Sequence, residues 1–188
     1  MRWDPYVKAT ESLPPHSLLI ESLKYLSSRN TALDLGAGGL RDTRYLLQQG
    51  FSVVAVDSDE SLLERTKSLD SVTPVISTFE AFEYGVERFD LINAAYALPF
   101  SPPETIKKIL ESITDALKPG GIFVGQFFGP KDSWAERDGM NFLTKEQIET
   151  MLASLEIRTL LEEERDGTTA LGKEKHWHVF HVIAQKPL

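Results

Sequence analysis

The chain of 188 residues contains no cysteine. Disulfides, thiolate nucleophiles and cysteine-ligated metals are therefore excluded. Positive charge is also scarce, with 20 Lys and Arg against 28 Asp and Glu and a formal net charge of −8. Proteins that grip duplex DNA or an RNA backbone concentrate basic residues, so no nucleic-acid partner is expected. No apolar run approaches the roughly 20 residues of a membrane-spanning helix. The stretch Ile122 to Phe128 is interrupted by Gly125 and Gln126. The segment MRWDPYVKAT lacks an apolar signal core. These absences lead to the expectation of a cytoplasmic protein without membrane contact, monomeric or homodimeric.

Strand-like and helix-like patterns alternate along most of the sequence, which predicts an α/β doubly wound sheet. Pro14 and Pro15 lead into a helix with Leu19, Leu23 and Leu26 on one face. A strand over Ala32 to Leu35 precedes a helix from Arg41 to Gln49 that stops at Gly50. The next strand covers Ser52 to Val56, and a helix carrying Leu62, Leu63 and Leu69 is expected to start near Ser58. Further strands are read at Thr73 to Ser77, Phe89 to Asn93 and Ile122 to Phe127.

Ser101, Pro102 and Glu104 read as a capping box opening a helix with Ile106, Ile109, Leu110, Ile113 and Leu117 on one stripe. Thr144 and Gln147 read as a second capping box. The polar loop from Gly129 to Asn141 exceeds most connections and is a candidate lid. Two last strands, Glu156 to Glu163 and Trp177 to Ala184, bring the count to seven. The absence of a linker predicts one domain over residues 1–188, with 1–30 as an N-terminal cap.

The segment TALDLGAGGL joins an apolar run ending in acid to a glycine turn, Gly36-Ala37-Gly38-Gly39, and VVAVD ends in a second acid, Asp57. Such a strand–turn–helix–strand unit binds an adenosine-containing cofactor at the carboxyl edge of a parallel sheet. A dinucleotide site requires G-x-G-x-x-G, and counting from Gly36 places Arg41 at the third glycine. Asp34, two residues before the first glycine, is a poor neighbour for a diphosphate. A cofactor with a cationic amino-acid end favours that negative charge instead. Asp57 fits an acceptor for two ribose hydroxyls.

Asp34-Leu35-Gly36-Ala37-Gly38, Asp57, Asp90-Leu-Ile-Asn93 and Leu117-Lys-Pro-Gly-Gly121 occur in one order. With these motifs the sequence resembles the class I S-adenosylmethionine-dependent methyltransferases, nearest the type 11 and tellurite-resistance members. The resemblance implies a Rossmann-like seven-stranded sheet of order 3-2-1-4-5-7-6 with strand 7 antiparallel. It also implies S-adenosyl-L-methionine as donor and S-adenosyl-L-homocysteine as product. The cofactor-binding residues it implies are Asp34, Gly36, Ala37 and Gly38 at the methionine part, Asp57 and Ser58 at the ribose, and Thr78 and Phe79 at the adenine. Asn93 and Tyr96 would floor the site. Leu40 stands where many members have a third glycine, and Thr78 where many have an acid.

Methyl transfer from a sulfonium requires a general base only when the nucleophile arrives protonated. Asn93-Ala94-Ala95-Tyr96 lacks the prolines of methyltransferases acting on base amines, and with the acidic charge this points to a small-molecule acceptor. Candidate catalytic or acceptor-side residues are Tyr96, Asp132, Trp134 and His176, with Tyr6 and Trp3 in the N-terminal segment. A non-catalytic S-adenosylmethionine sensor or partner subunit is the alternative reading. In the run His176-Trp177-His178-Val179-Phe180-His181, His178 is expected opposite His176, with His181 out of phase, so no metal site is expected. Glu162-Glu163-Glu164 reads as a solvated face, and Arg41 as a partner for a substrate anion or a surface acid.

Overall fold

The computed structural model describes residues 4–188. One mixed sheet carries seven strands in the order β3-β2-β1-β4-β5-β7-β6. The strands are β1 (Thr31–Leu35), β2 (Ser52–Asp57), β3 (Val72–Ile76), β4 (Phe89–Ala94), β5 (Leu117–Phe128), β6 (Glu156–Thr168) and β7 (Glu174–Gln185). Strands β1 to β5 pair in parallel, whereas β7 runs antiparallel to both β5 and β6. The expected order and the reversed strand are both present. The chain winds outward in both directions from β1 and β4, so their adjacent carboxyl ends flank the crevice where such sheets hold ligands.

The central strands are apolar because both their faces are covered. On one face Leu33, Leu35, Ile92 and Phe123 meet Ile106, Ile109, Leu110 and Ile113 of helix α5 (Ile106–Ala116). On the other, Ala32, Val53, Leu91 and Val124 pack with Leu19 of α2 (Ser17–Ser22) and Leu46 of α3 (Arg41–Gln48). Helix α1 (Asp4–Thr10) precedes them. Among the described residues no helix is long and apolar enough to cross a membrane.

Several local expectations change. Helix α5 starts at Ile106, and its cap, Thr105, makes no side-chain capping bond, its hydroxyl donating instead to Pro102 O at 2.8 Å. Pro103 disfavours helical torsions at Pro102, so the helix cannot open there, and the Ser101 hydroxyl is buried without a partner. The Thr144 box does form at the head of α6 (Lys145–Met151). Helix α4 is short, Leu62–Thr66. Asp59 accepts bonds from the Ser61 N–H at 2.9 Å and its hydroxyl at 2.6 Å, making a turn of the segment expected to be helical. Leu63 consequently faces solvent.

Strands β6 and β7 each outrun the expectation, closing in a tip where the Thr169 N–H donates to Lys173 O at 2.8 Å. The polar residues thought to end them pair across the ladder. His178 Nε2 lies 2.8 Å from Glu162, His181 Nε2 2.8 Å from Glu163 and His176 Nδ1 2.7 Å from Asp166. Glu162-Glu163-Glu164 is thus a row of ionic partners rather than a merely solvated face.

Asp90 ties the sheet together at its amino edge. Its carboxylate accepts from Ser28 Oγ at 2.7 Å, the Thr31 N–H at 2.8 Å and Lys118 Nζ at 2.9 Å. Burial opposes the charge, but these donors outweigh it and hold the carboxyl well below the usual range. Asp90→Ala is expected to cost about 3–5 kcal/mol, because it strands Lys118 and buried backbone donors. A carboxylate held below its unfolded pKa stabilises above that value, and the contribution is lost as the pH falls toward the folded one. The gap in urea midpoint between wild type and Asp90→Asn should therefore narrow as pH is lowered from about 6 to about 3.

Candidate active site

A cavity of about 760 Å³ opens over the carboxyl ends of β1, β2 and β4. Its floor is the turn after β1. Gly36 sits at φ +73° and Gly38 at φ +47°, a left-handed region that disfavours side chains. A β-carbon on Gly36 would lie 2.6 Å from Ala97 Cβ, so the turn is bare by steric necessity. Leu40, standing where a third glycine was expected, adopts φ +64° itself. Its side chain is fully buried against Ala37, Ala55 and Leu62, and this packing offsets the roughly 1–2 kcal/mol of left-handed strain.

Asp57 ends β2 and locks this turn. One carboxylate oxygen accepts the Gly38 N–H at 2.8 Å and the other the Asp59 N–H at 3.0 Å. A carboxylate has about four acceptor positions, so two remain for hydroxyls. Asp57, Ser58, Thr78 and Phe79 all line the cavity, as do Gly36, Ala37 and Gly38.

Behind the turn lies a buried acid pair. Asp34 accepts from Thr43 Oγ1 at 2.5 Å and Asn93 Nδ2 at 2.8 Å. Burial, with Asp42 nearby, pushes its carboxyl up to about 7. Asn93 does not line the cavity; it stands behind the wall and also reaches Asp42 at 3.2 Å. Burial works against the charge of Asp42 too, but His16 outweighs it and holds that carboxyl below its ordinary value. The His16 N–H donates to Asp42 Oδ1 at 3.0 Å and its ring Nδ1 lies 2.7 Å from Oδ2. Arg41 Nε, 3.8 Å from Asp42, is buried without a hydrogen-bond partner at the cavity wall.

The far half of the cavity is aromatic. Tyr96, at φ +52°, is held by its N–H donating to Gln126 Oε1 at 3.0 Å. Its ring centroid lies 5.4 Å from His16, 6.3 Å from Phe128 and 6.3 Å from Trp177. Burial raises the phenol pKa of Tyr96 and of Tyr6, which lines the cavity from α1. Trp3 lies outside the described residues.

Two expected acceptor-side residues lie elsewhere. Asp132 does not line the cavity. It is buried in an ion pair with Lys175, and it accepts the Trp134 N–H at 3.0 Å. Lys175 Nζ sits 4.3 Å from the Trp134 ring, 4.4 Å from Trp177 and 4.9 Å from Phe128. This pair staples the 129–141 loop to β7, so the loop expected to be a lid is a fixed wall presenting Trp134. His176 likewise points away from the cavity, toward Asp166 and Glu164 on β6. The expected opposition of His176 and His178 does not hold either. Positions two apart share a strand face, and their register partners Asp166 and Glu164 share it too. His181 takes the other face. Among the described residues no cluster of three or more metal-ligating side chains occurs.

Sequence reasoning missed His16, Asp42 and the β6–β7 tip, whose Thr169, Ala170 and Leu171 line the cavity. Asp42 stands 26 positions from His16, and no local spacing signals that pairing. The tip was hidden because its strands are polar.

The family model for a methyltransferase domain matches residues 32–121. An uncharacterized methyltransferase of Synechocystis sp. is 36% identical over 109 residues, covering 57% of this chain and 51% of that protein. The chain spans about half the length of the curated relatives it matches. TehB from Haemophilus influenzae superimposes with a TM-score of 0.79 at 16% identity, over 97% of this chain and 66% of that one. The N-methyltransferase NodS from Bradyrhizobium japonicum, crystallised with S-adenosyl-L-homocysteine, gives 0.68 at 17% identity, over 90% and 86%.

Two stability measurements test this anatomy. Lys175→Met and Asp132→Leu should each cost about 3–5 kcal/mol by leaving a buried charge unpaired, and the double variant should cost less than the sum. Asp34 has its folded pKa raised from 3.8 to about 7. The stability it contributes is then fully present below about pH 4 and lost as pH rises toward about 7. Asp34→Asn, neutral throughout, should flatten that slope in urea unfolding across the same window.

Proposed function

We propose, from the match of residues 32–121 to the methyltransferase-domain model and the 36% identity to a methyltransferase of Synechocystis sp., that the chain is a class I S-adenosylmethionine-dependent methyltransferase and transfers a methyl group from S-adenosylmethionine to a small-molecule acceptor. We propose further that residues 1–188 act as a single domain with 1–30 as its cap. The observation that carries this reading is the two-part cavity: a bare glycine turn locked by a strand-end acid, continuous with an aromatic chamber.

The residues present suit the cofactor. The bare Gly36 turn, packed against Ala97, borders the cavity and suits an amino-acid tail laid along the main chain. Arg41 Nε, a buried cationic donor with no hydrogen-bond partner, suits the tail's carboxylate. Asp34 suits its ammonium, since a nearby cation favours the ionised acid. Asp57 retains acceptor positions for both ribose hydroxyls, and Thr78 and Phe79 border the space for adenine.

When bound, the cofactor supplies a methyl carbon activated by sulfonium. The chain has to align the acceptor and exclude water. Tyr96, Phe128, Trp134 and Trp177 form a rigid apolar wall for that purpose, with Trp134 fixed by the Lys175–Asp132 pair. The net charge of −8 and the absence of prolines after Asn93 support a small molecule over nucleic acid. Leu40 weighs against the non-catalytic alternative, because it holds the turn that a glycine would hold.

Calorimetric titration with S-adenosylhomocysteine should show one site, with no heat from NADH. Asp57→Ala should weaken that binding at least tenfold, about 1.4 kcal/mol. Gly36→Val should abolish it, with circular dichroism confirming the fold. An Asp57→Ala chain of unchanged affinity would place the ribose elsewhere.

A further inference from the structure

We propose that His16, oriented by Asp42, is the general base of this site, and that the acceptor is a flat aromatic molecule whose hydroxyl or thiol arrives protonated. The inference rests on the methyltransferase reading above and names the substrate class of that same site.

The tautomer follows from the partners. Asp42 is held below the usual carboxyl range by its bonds from His16, in spite of its burial. It is therefore an ionised, acceptor-only group near neutrality. A ring nitrogen 2.7 Å from such an oxygen carries the proton. Nδ1 is thus the donor, and in the neutral ring Nε2 is the bare acceptor. The backbone N–H of His16 on the other Asp42 oxygen, at 3.0 Å, fixes the residue a second time. Asn93 Nδ2, at 3.2 Å, fixes the carboxylate in turn. A base held by a third group in this way is the usual arrangement for proton abstraction.

Position agrees with chemistry. His16 lines the cavity with a side chain 19% exposed. It lies where the cofactor half meets the aromatic half, between the Asp34–Asp42 pair and the Tyr96 ring. Its direct neighbours are Asp42 from α3 and the Tyr96 ring after β4, and Asp42 in turn interacts with Arg41, with Asp34 from β1 and with Tyr6 from α1. Burial makes both tyrosines harder to ionise. Among these groups the His16 ring is the one that keeps a bare basic nitrogen once Nδ1 is bound to Asp42. The acceptor's aromatic character comes from the wall opposite, made by Tyr96, Phe128, Trp134 and Trp177.

The step balances without another reagent. The acceptor heteroatom's lone pair forms the bond to the methyl carbon as the carbon–sulfur bond breaks with its pair going to sulfur. The heteroatom's proton passes to Nε2, and the resulting imidazolium is stabilised by Asp42.

The test compares wild type with His16→Gln. Wild-type binding of S-adenosylhomocysteine comes first, since its absence defeats the methyltransferase reading itself. If wild type binds, the variant should bind within about threefold; a loss beyond tenfold would make His16 part of the cofactor site instead. Diethyl pyrocarbonate should modify His16 in the S-adenosylhomocysteine complex, as mapped by mass spectrometry; protection there would bury the base under the cofactor and overturn the proposal. Turnover is then read on alkylphenols and aryl thiols protonated at the assay pH and on nitrophenols already ionised. His16→Gln should lose about a hundredfold or more on the protonated acceptors, in line with general-base contributions, and under tenfold on the ionised ones. Equal losses on both, or a wild type that methylates none of them, would refute it.

Discussion

The hydrogen bond from the Gly38 N–H to Asp57, at 2.8 Å, couples two parts of the chain on which the site depends. It joins the turn leaving β1 to the end of β2 and holds a strained backbone open. The turn can take its shape only because Gly36 has no side chain to meet Ala97. Leu40 completes the same bend in a left-handed conformation, paid for by burial of its side chain. At position 40, backbone geometry rather than glycine identity completes the bend.

Charge is organised around that bend with opposite consequences for neighbouring acids. Asp34 and Asp42 are both buried, yet burial dominates the first and His16 dominates the second. One acid is thereby poised near neutrality and the other kept ionised. This separation gives the cavity a titratable floor and a fixed anion that can orient an imidazole. Arg41 adds a buried donor without a hydrogen-bond partner, which is costly unless a ligand satisfies it.

The aromatic half is built by a different device. Lys175 lies beneath three rings and pairs with Asp132, so a long polar loop becomes a rigid wall. The cross-strand histidine–carboxylate pairs extend β6 and β7 until their tip reaches the cavity. Residues that look chemically active in isolation, His176 and Asp132, are consumed by this scaffolding.

The alternating strands and helices, the glycine turn and Asp57 were legible from local signals, namely apolar runs ending in acids, turn glycines and helical stripes, whereas the sheet order followed from the resemblance those motifs carry. Such features depend on neighbours within a few residues, and a linear sequence records those directly. The Pro102–Pro103 pair also carried its answer, since the second proline bars a helix from opening at the first. His16 beside Asp42, Lys175 beneath Trp134 and the reach of the β6–β7 tip were decided only by tertiary structure. Each joins side chains far apart in the chain, and burial then determines whether a charge is neutralised, paired or left to act.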